Sequence, residues 1–203
     1  MGGKVVLVYG FEPAELVAVA VSSQGRGRLV SGCSEKKSNI IDRTVLNGFS
    51  RRVYELLQNV ASKVGEEVEA EGGLGRLYDF VMNEALASPS VWETLALLGK
   101  GEKLIGVVAP CAGMTKLSSS IAWYAIASIA VEMEATLVLD VASCSHLLPA
   151  IISAVSERGS VENVKKLAGG EVVLLDKAKI PRVERLYLGF IMSLLAESPA
   201  RKG

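Results

Sequence analysis

The sequence has few aromatic residues and no excess of charge of either sign. Phe, Trp and Tyr make up 5% of its 203 residues, and 22 Lys and Arg side chains balance 22 Asp and Glu side chains. A globally basic, histone-like nucleic-acid-binding protein is therefore excluded, although a local basic patch is not. Few rings remain on which the bases of a single-stranded nucleic acid could stack.

The chain also has little of the chemistry that binds metals or builds disulfide frameworks. It contains one histidine, His146, and three cysteines, Cys33, Cys111 and Cys144, with no CxxC spacing. This pattern predicts no metal site and argues against a disulfide scaffold. One histidine also argues against a Ser–His–Asp triad, and a lone histidine is typical of a structural role. We expect no cofactor.

Long hydrophobic runs are missing as well. The apolar start of the chain is interrupted at Glu12, and the apolar segment Ser118–Val131 ends at Glu132. A membrane-spanning helix needs roughly 20 apolar residues, so both segments are too short to span a bilayer. We therefore expect a cytoplasmic protein with no membrane partner.

What the sequence does contain is an alternation of short β-branched runs and longer helical segments, with half of all residues hydrophobic. Such a composition predicts a folded chain rather than a disordered one. The predicted strands are Lys4–Tyr9, Arg28–Cys33, Glu66–Ala70, Lys103–Ala109, Ala135–Val141 and Val172–Leu175. The predicted helices are Pro13–Val21, Asp42–Val64, Leu77–Ala87, Ser88–Leu98, Leu117–Glu132, Pro149–Glu157, Val161–Ala168 and Arg182–Glu197.

This alternation predicts an α/β fold with a Rossmann-like, doubly wound and mainly parallel sheet. The unit from Lys103 to Val141 has the strand–helix–strand order of a right-handed crossover. Residues 1–148 would form the Rossmann-like domain, and residues 149–203 would complete the sheet. Alternatively, the second segment forms a small helix-turn-helix-like appendage, with residues 150–169 as its first two helices and residues 180–188 as a DNA-recognition helix.

Two loops are candidate ligand-binding sites, because ligands of doubly wound sheets bind beyond the carboxyl ends of the strands. The second loop combines a glycine, a lysine and several hydroxyls at the start of a helix, which suits a phosphate group. It matches neither the Walker A nor the GxGxxG spacing. In the alternative interpretation Gly113 only shapes a turn and Lys116 is solvated. The candidate ligand-binding residues are Tyr9, Gly10, Phe11, Glu12, Cys111, Ala112, Gly113, Met114, Thr115, Lys116, Ser118 and Ser119.

The run Cys111-Ala-Gly-Met-Thr-Lys116, followed by Leu-Ser-Ser-Ser-Ile-Ala, resembles the signature of CARF domains, the CRISPR-associated Rossmann-like sensors. Their central strand is followed by a loop similar to [ST]-G-G-[TM]-[KR] and a long apolar helix. Ala112 stands where the first glycine is usual, and Cys111 where a hydroxyl is common. The resemblance covers the order of elements over roughly residues 4–145. It implies a CARF-like domain that binds a cyclic oligoadenylate across a symmetric homodimer, in antiviral defence.

Three functions follow from this resemblance as alternatives. The first is a sensor that binds the cyclic oligonucleotide through both loops. The second is a metal-independent ring nuclease, in which the ligand's own 2′-hydroxyl is the nucleophile and Lys116 is the candidate catalytic residue. The third is a transcriptional regulator that binds DNA through residues 150–190. We expect Lys116 at the mouth of the largest cleft between two subunits.

Overall fold

The computed structural model describes residues 3–9, 27–31, 39–64, 73–156, 158–166, 169 and 172–175. Within these residues a six-stranded sheet has the order β2-β3-β4-β1-β5-β6. The first five strands in that order are parallel, and β6 is antiparallel to β5. The strands are β1 (Lys4–Tyr9), β2 (Arg28–Ser31), β3 (Leu104–Val108), β4 (Thr136–Asp140), β5 (Ser160–Lys166) and β6 (Val172–Leu175).

Five α-helices accompany this sheet in the described part of the chain. They are α1 (Arg43–Val64), α2 (Gly73–Ala87), α3 (Pro89–Gly99), α4 (Lys116–Glu132) and α5 (Leu148–Val155), and a short 3₁₀ helix (Ser145–Leu147) precedes α5. The fold is therefore α/β, Rossmann-like and doubly wound with a mainly parallel sheet, as the sequence predicts. None of the described helices is long and apolar enough to cross a membrane.

Strand β1 lies inside the sheet, where it pairs with β4 on one side and with β5 on the other. From β1 the chain passes to β2 at the far edge of the sheet and then returns through β3 and β4 to β5. The chain therefore leaves β1 in one direction, towards β2, and leaves the neighbouring strand β4 in the opposite direction, towards β5. In doubly wound sheets, ligands bind beyond the carboxyl ends of neighbouring strands whose connections diverge in this way.

The alternation of side chains along the strands sends apolar residues to both faces of the sheet. Val5, Leu7 and Ile105 belong to the large core that the helices cover. Val8 and Val138 belong to a small cluster on the other face of the sheet. All five side chains are at most 1% exposed. Parallel sheets are buried on both faces in this way, and their strands accordingly show continuous apolar runs.

Helix α4 is enclosed by its neighbours, and 14 of its 17 residues are buried. It packs against α1, α2, α3 and α5 as well as against the sheet. Its serines and alanines are small enough to let these helices approach closely. The apolar character of residues 121–131, including Trp123, is thereby explained as core packing within the chain.

Among the residues that the structure describes, one predicted element is wrong. Residues Val161–Ala168 are predicted as a short helix, but residues 160–166 form strand β5, which extends β1 in parallel register. The following segment, Val172–Leu175, pairs with β5 as an antiparallel strand. The second helix of the alternative helix-turn-helix is thus a strand. The predicted elements Pro13–Val21, Glu66–Ala70 and Arg182–Glu197 lie outside the described residues.

Candidate functional site

The loop between β3 and α4 begins with a sharp change of backbone direction. Ala109 and Gly113 both have positive φ angles, 51° and 76°, and the Ala112 N–H donates to the Ala109 carbonyl at 3.2 Å. The glycine is exposed, and a Cβ atom there would meet nothing within 4 Å. Its left-handed backbone, rather than crowding, is what favours glycine at position 113.

The base of this loop is anchored to the helices through one carbonyl group. The Pro110 oxygen accepts hydrogen bonds from the Trp123 indole N–H at 2.7 Å and from the Ser90 hydroxyl at 2.9 Å. Both donors are fully buried, on α4 and α3 respectively. A buried carbonyl with two donors is rigidly placed, so the exposed tip at Gly113 projects from a well-supported base.

Helix α4 begins directly after the loop, and its first turn carries Lys116. The Thr115 hydroxyl caps the helix by accepting from the Ser118 N–H at 3.2 Å, and the Glu84 carboxylate of α2 accepts from the Thr115 N–H. Glu84 is thus an anion of the protein itself at this helix start, where the helix dipole favours negative charge. Lys116, the first residue of α4, is exposed and adds a cation to this first turn.

A disulfide bond joins this loop to the loop after β4. Cys111 and Cys144 are bonded with their Cα atoms 6.3 Å apart. The sequence-based argument against a disulfide is therefore wrong for this pair, and Cys111 does not act as a free thiolate. The bond ties together the carboxyl-end connections of two adjacent parallel strands, which are the two segments that flank the candidate site.

The only histidine of the chain lies at the same edge of the sheet and contacts α4. His146 Nε2 is 2.7 Å from the Ser119 hydroxyl, which also lies 2.8 Å from the Thr115 carbonyl. A hydroxyl has one proton, and the carbonyl can only accept. We therefore infer that the Ser119 hydroxyl donates its proton to the Thr115 carbonyl. In the hydrogen bond between Ser119 and His146, the ring N–H at Nε2 is then the donor and the hydroxyl oxygen is the acceptor. The neutral ring then has its lone pair on Nδ1.

Burial and charge both keep this imidazole neutral. Desolvation lowers the pKa of His146 from its ordinary value of 6.5, and the nearby Lys116 cation lowers it further. Burial raises the pKa of Asp140 at the end of β4, against the opposing effect of a hydrogen bond from the Ala142 N–H at 3.0 Å. Burial also raises the pKa of Tyr9 at the end of β1.

The lowered pKa of His146 predicts a loss of stability on acidification. The unfolded chain takes up its proton near pH 6.5 and the folded protein only at lower pH, so the unfolded state binds more protons between these values. The free energy of unfolding should therefore fall as the pH drops below 6.5. Denaturant titrations at pH 7.5, 6.5 and 5.5 should show a smaller fall for His146→Gln. Equal pH dependence of the two proteins would contradict the prediction.

The structure brings part of the predicted ligand-binding set together. Cys111, Ala112, Met114 and Thr115 are partly buried in the loop, whereas Gly113 and Lys116 are exposed at its tip and at the helix start. Ser118 and Ser119 are fully buried, so their hydroxyls lie within the helical layer and not on an open surface. Tyr9 ends β1 at the same edge of the sheet. The candidates Gly10, Phe11 and Glu12 lie outside the described residues.

Sequence reasoning missed three participants at this edge. Glu84 lies 31 residues before its partner Thr115, and no local pattern links them. Cys144 and His146 follow β4 as Cys111 follows β3. Their position after the next predicted strand is the sequence feature that could have placed them at the same edge as Cys111. In the described part of the chain, no group of three or more His, Cys, Asp or Glu side chains could hold a metal ion.

Comparison with protein-family models, with curated proteins and with solved structures found no match. The fold and the site therefore define only a class of protein. It is an α/β, Rossmann-like doubly wound protein with a strand–loop–helix unit at the edge of the sheet where ligands of this fold class bind.

Proposed function

We propose that the protein is a sensor that binds a cyclic oligoadenylate at an interface between two copies of the chain. The observation that carries this proposal is the exposed Lys116 on the first turn of α4, after a loop with a left-handed Gly113. A lysine at a helix start is suited to hold a phosphate group. The resemblance of Cys111–Lys116 to the CARF signature is the reason for proposing a cyclic oligoadenylate as the ligand.

The charges near Lys116 restrict the position that a bound phosphate group would take. Glu84 occupies the Thr115 N–H and would repel an anion on the α2 side of the helix start. His146 lies within the electrostatic reach of Lys116 and is neutral at pH 7, so it presents no opposing charge. The ligand phosphate would therefore lie between Lys116 and the loop after β4.

A symmetric ligand calls for a symmetric receptor. A cyclic oligonucleotide with two-fold symmetry is best held by two equivalent loops, and two-fold dimers are the commonest closed assemblies. We therefore propose a homodimer in which the Lys116 loops of both copies face the two-fold axis.

The test is a panel of cyclic tri-, tetra- and hexa-adenylates with their linear counterparts, titrated into the protein and followed through the imidazole signals of His146. Because His146 is the only histidine, its NMR signals report on this edge alone. A bound phosphate that offsets the Lys116 charge should raise the His146 pKa, and light scattering should give a dimer. A monomer at micromolar concentration, or unchanged His146 signals with every cyclic ligand, would overturn the proposal.

Cleavage of the same ligand is a second candidate, favoured by the lone pair that our assignment leaves on His146 Nδ1 beside Lys116. In that reaction Nδ1 takes the proton of a ligand 2′-hydroxyl, and the 2′-oxygen attacks the adjacent phosphorus. The bond to the 5′-oxygen of the next nucleotide breaks, and this oxygen takes a proton from water while His146 returns its proton to the solvent. The products are a 2′,3′-cyclic phosphate and a 5′-hydroxyl. Chromatography of the incubated ligand distinguishes the two candidates: a sensor returns the intact ring, and a ring nuclease returns linear products that His146→Gln does not form.

A further inference from the structure

A concave site lies at the end of α4 opposite to Lys116. A cavity of about 430 Å³ opens between α1, α4 and the end of α5. Since an α-helix rises about 1.5 Å per residue, its wall residue Glu132 lies roughly 24 Å along α4 from Lys116. The cavity is therefore separate from the site of the proposed sensor function, and Lys116 is not among its lining residues.

The cavity is lined by more cations than anions. Arg51 and Arg52 come from α1, Arg158 follows α5, and the acidic members of the lining are Glu55 and Glu132. Glu132 accepts hydrogen bonds from both Arg52 and Arg158, one on each carboxylate oxygen. Two guanidinium groups thus share one carboxylate, and among the described residues Arg51 forms no ion pair.

Arg52 carries the observation that points to a missing ligand. Its Nε–H group is buried, and no residue in the described part of the chain accepts a hydrogen bond from it. A buried guanidinium donor without an acceptor is costly, because charged groups lose more than neutral ones when desolvated. An oxyanion in the cavity would place negative charge beside this guanidinium group and so offset part of that cost.

We propose that this cavity binds the phosphate monoester of a small organic molecule. Guanidinium groups bind phosphate through several parallel hydrogen bonds, and three of them approach this cavity from two walls. A phosphoryl group offers three oxygens to them, whereas a carboxylate offers only the two that Glu132 already provides. The volume is that of a small-molecule site and exceeds the needs of a free phosphate ion. Tyr124 and Val131 form the less polar wall for the organic part.

Calorimetric titration with inorganic phosphate, ribose 5-phosphate and ribose at constant ionic strength tests this proposal. Ribose 5-phosphate should bind saturably and more tightly than inorganic phosphate, and ribose should not bind. Arg51→Gln and Arg158→Gln should each weaken ribose 5-phosphate binding by about tenfold to a hundredfold. Both side chains lie towards solvent, so these variants keep the core intact.

Two matched controls separate this site from others. Arg76→Gln removes an exposed arginine of α2 that does not line the cavity, and Lys116→Ala removes the cation of the proposed sensor site. Neither should change ribose 5-phosphate binding. Equal affinity of Arg51→Gln, Arg158→Gln and the parent protein would overturn the proposal, as would equal binding of inorganic phosphate and its ribose ester. Loss of binding in Lys116→Ala alone would assign the phosphate to the other end of α4.

Discussion

Removal of the Cys111–Cys144 disulfide should lower the free energy of unfolding by about 3–4 kcal/mol. The bond closes a chain segment of 33 residues, and a cross-link of that span restricts the unfolded state by roughly this amount. The double variant Cys111→Ala, Cys144→Ala tests this by guanidinium denaturation without a reductant. Its midpoint should be lower than that of the oxidised parent protein.

The reduced parent protein is the matched control, because it lacks the bond but keeps both side chains. Its midpoint should lie close to that of the double variant, and a reductant should leave the variant unchanged. Identical midpoints of the parent protein with and without a reductant would show that the bond does not form in solution. Mass spectrometry of the non-reduced chain after alkylation gives the same answer independently.

Lys116→Ala is expected to weaken the binding of a cyclic oligoadenylate by about tenfold to a hundredfold while leaving the fold intact. A charge-assisted hydrogen bond to a phosphate contributes about 1.5–3 kcal/mol, which corresponds to that range of affinity. The side chain is exposed, so its removal leaves no cavity. Fluorescence or calorimetric titration with the ring that binds the parent protein most tightly measures the effect.

The control for this variant is Lys103→Ala. Lys103 is also exposed but precedes β3, so it lies at the amino end of the strand whose carboxyl end leads to Lys116. Its replacement removes the same charge from the chain and should not change the affinity for the ligand. If both variants bind as tightly as the parent protein, Lys116 does not contact the phosphate.

The strand–loop–helix–strand unit from β3 to β4 was predictable because its patterns are local. The apolar run before Pro110 and the apolar run after Met133 differ in their hydrophobic period from the helix between them. The structure confirms these two strands and the helix to within one residue at every end. Their order along the chain also implies a parallel sheet. The central position of β1 was not predictable, because it depends on pairings with strands far along the chain.

Strand β5 was mistaken for a helix for a specific reason. Val161 and Val164 are three residues apart, which imitates helical spacing, and the intervening buried position holds Asn163. That polar residue hides the alternation by which a strand is recognised. Pairing with β1 then outweighs the local preference, since it supplies hydrogen-bond partners along the whole segment.

The contacts of the candidate site could not be predicted from local sequence patterns, because they also depend on residues far apart in the chain. The residue types in Cys111–Lys116 indicate an anion-binding loop, but the Glu84 carboxylate reaches that loop only because α2 packs against α4. The pairing of Cys111 with Cys144 likewise requires β3 and β4 to be neighbours in the sheet. Contacts of this kind depend on which helices and strands are neighbours in the fold, and one sequence alone does not show that.

The central position of β1 also has a consequence for how the chain acquires its structure during synthesis. The strand pairs Lys4 with Thr136 on one side and with Ser160 on the other, so both neighbours are made long after β1 itself. Nearly the whole described sheet must therefore leave the ribosome before its inner strand can be hydrogen-bonded on both edges. Because pairings between distant segments close slowly, final assembly of the sheet is a late step, and the apolar β1 depends on protection from other chains until then.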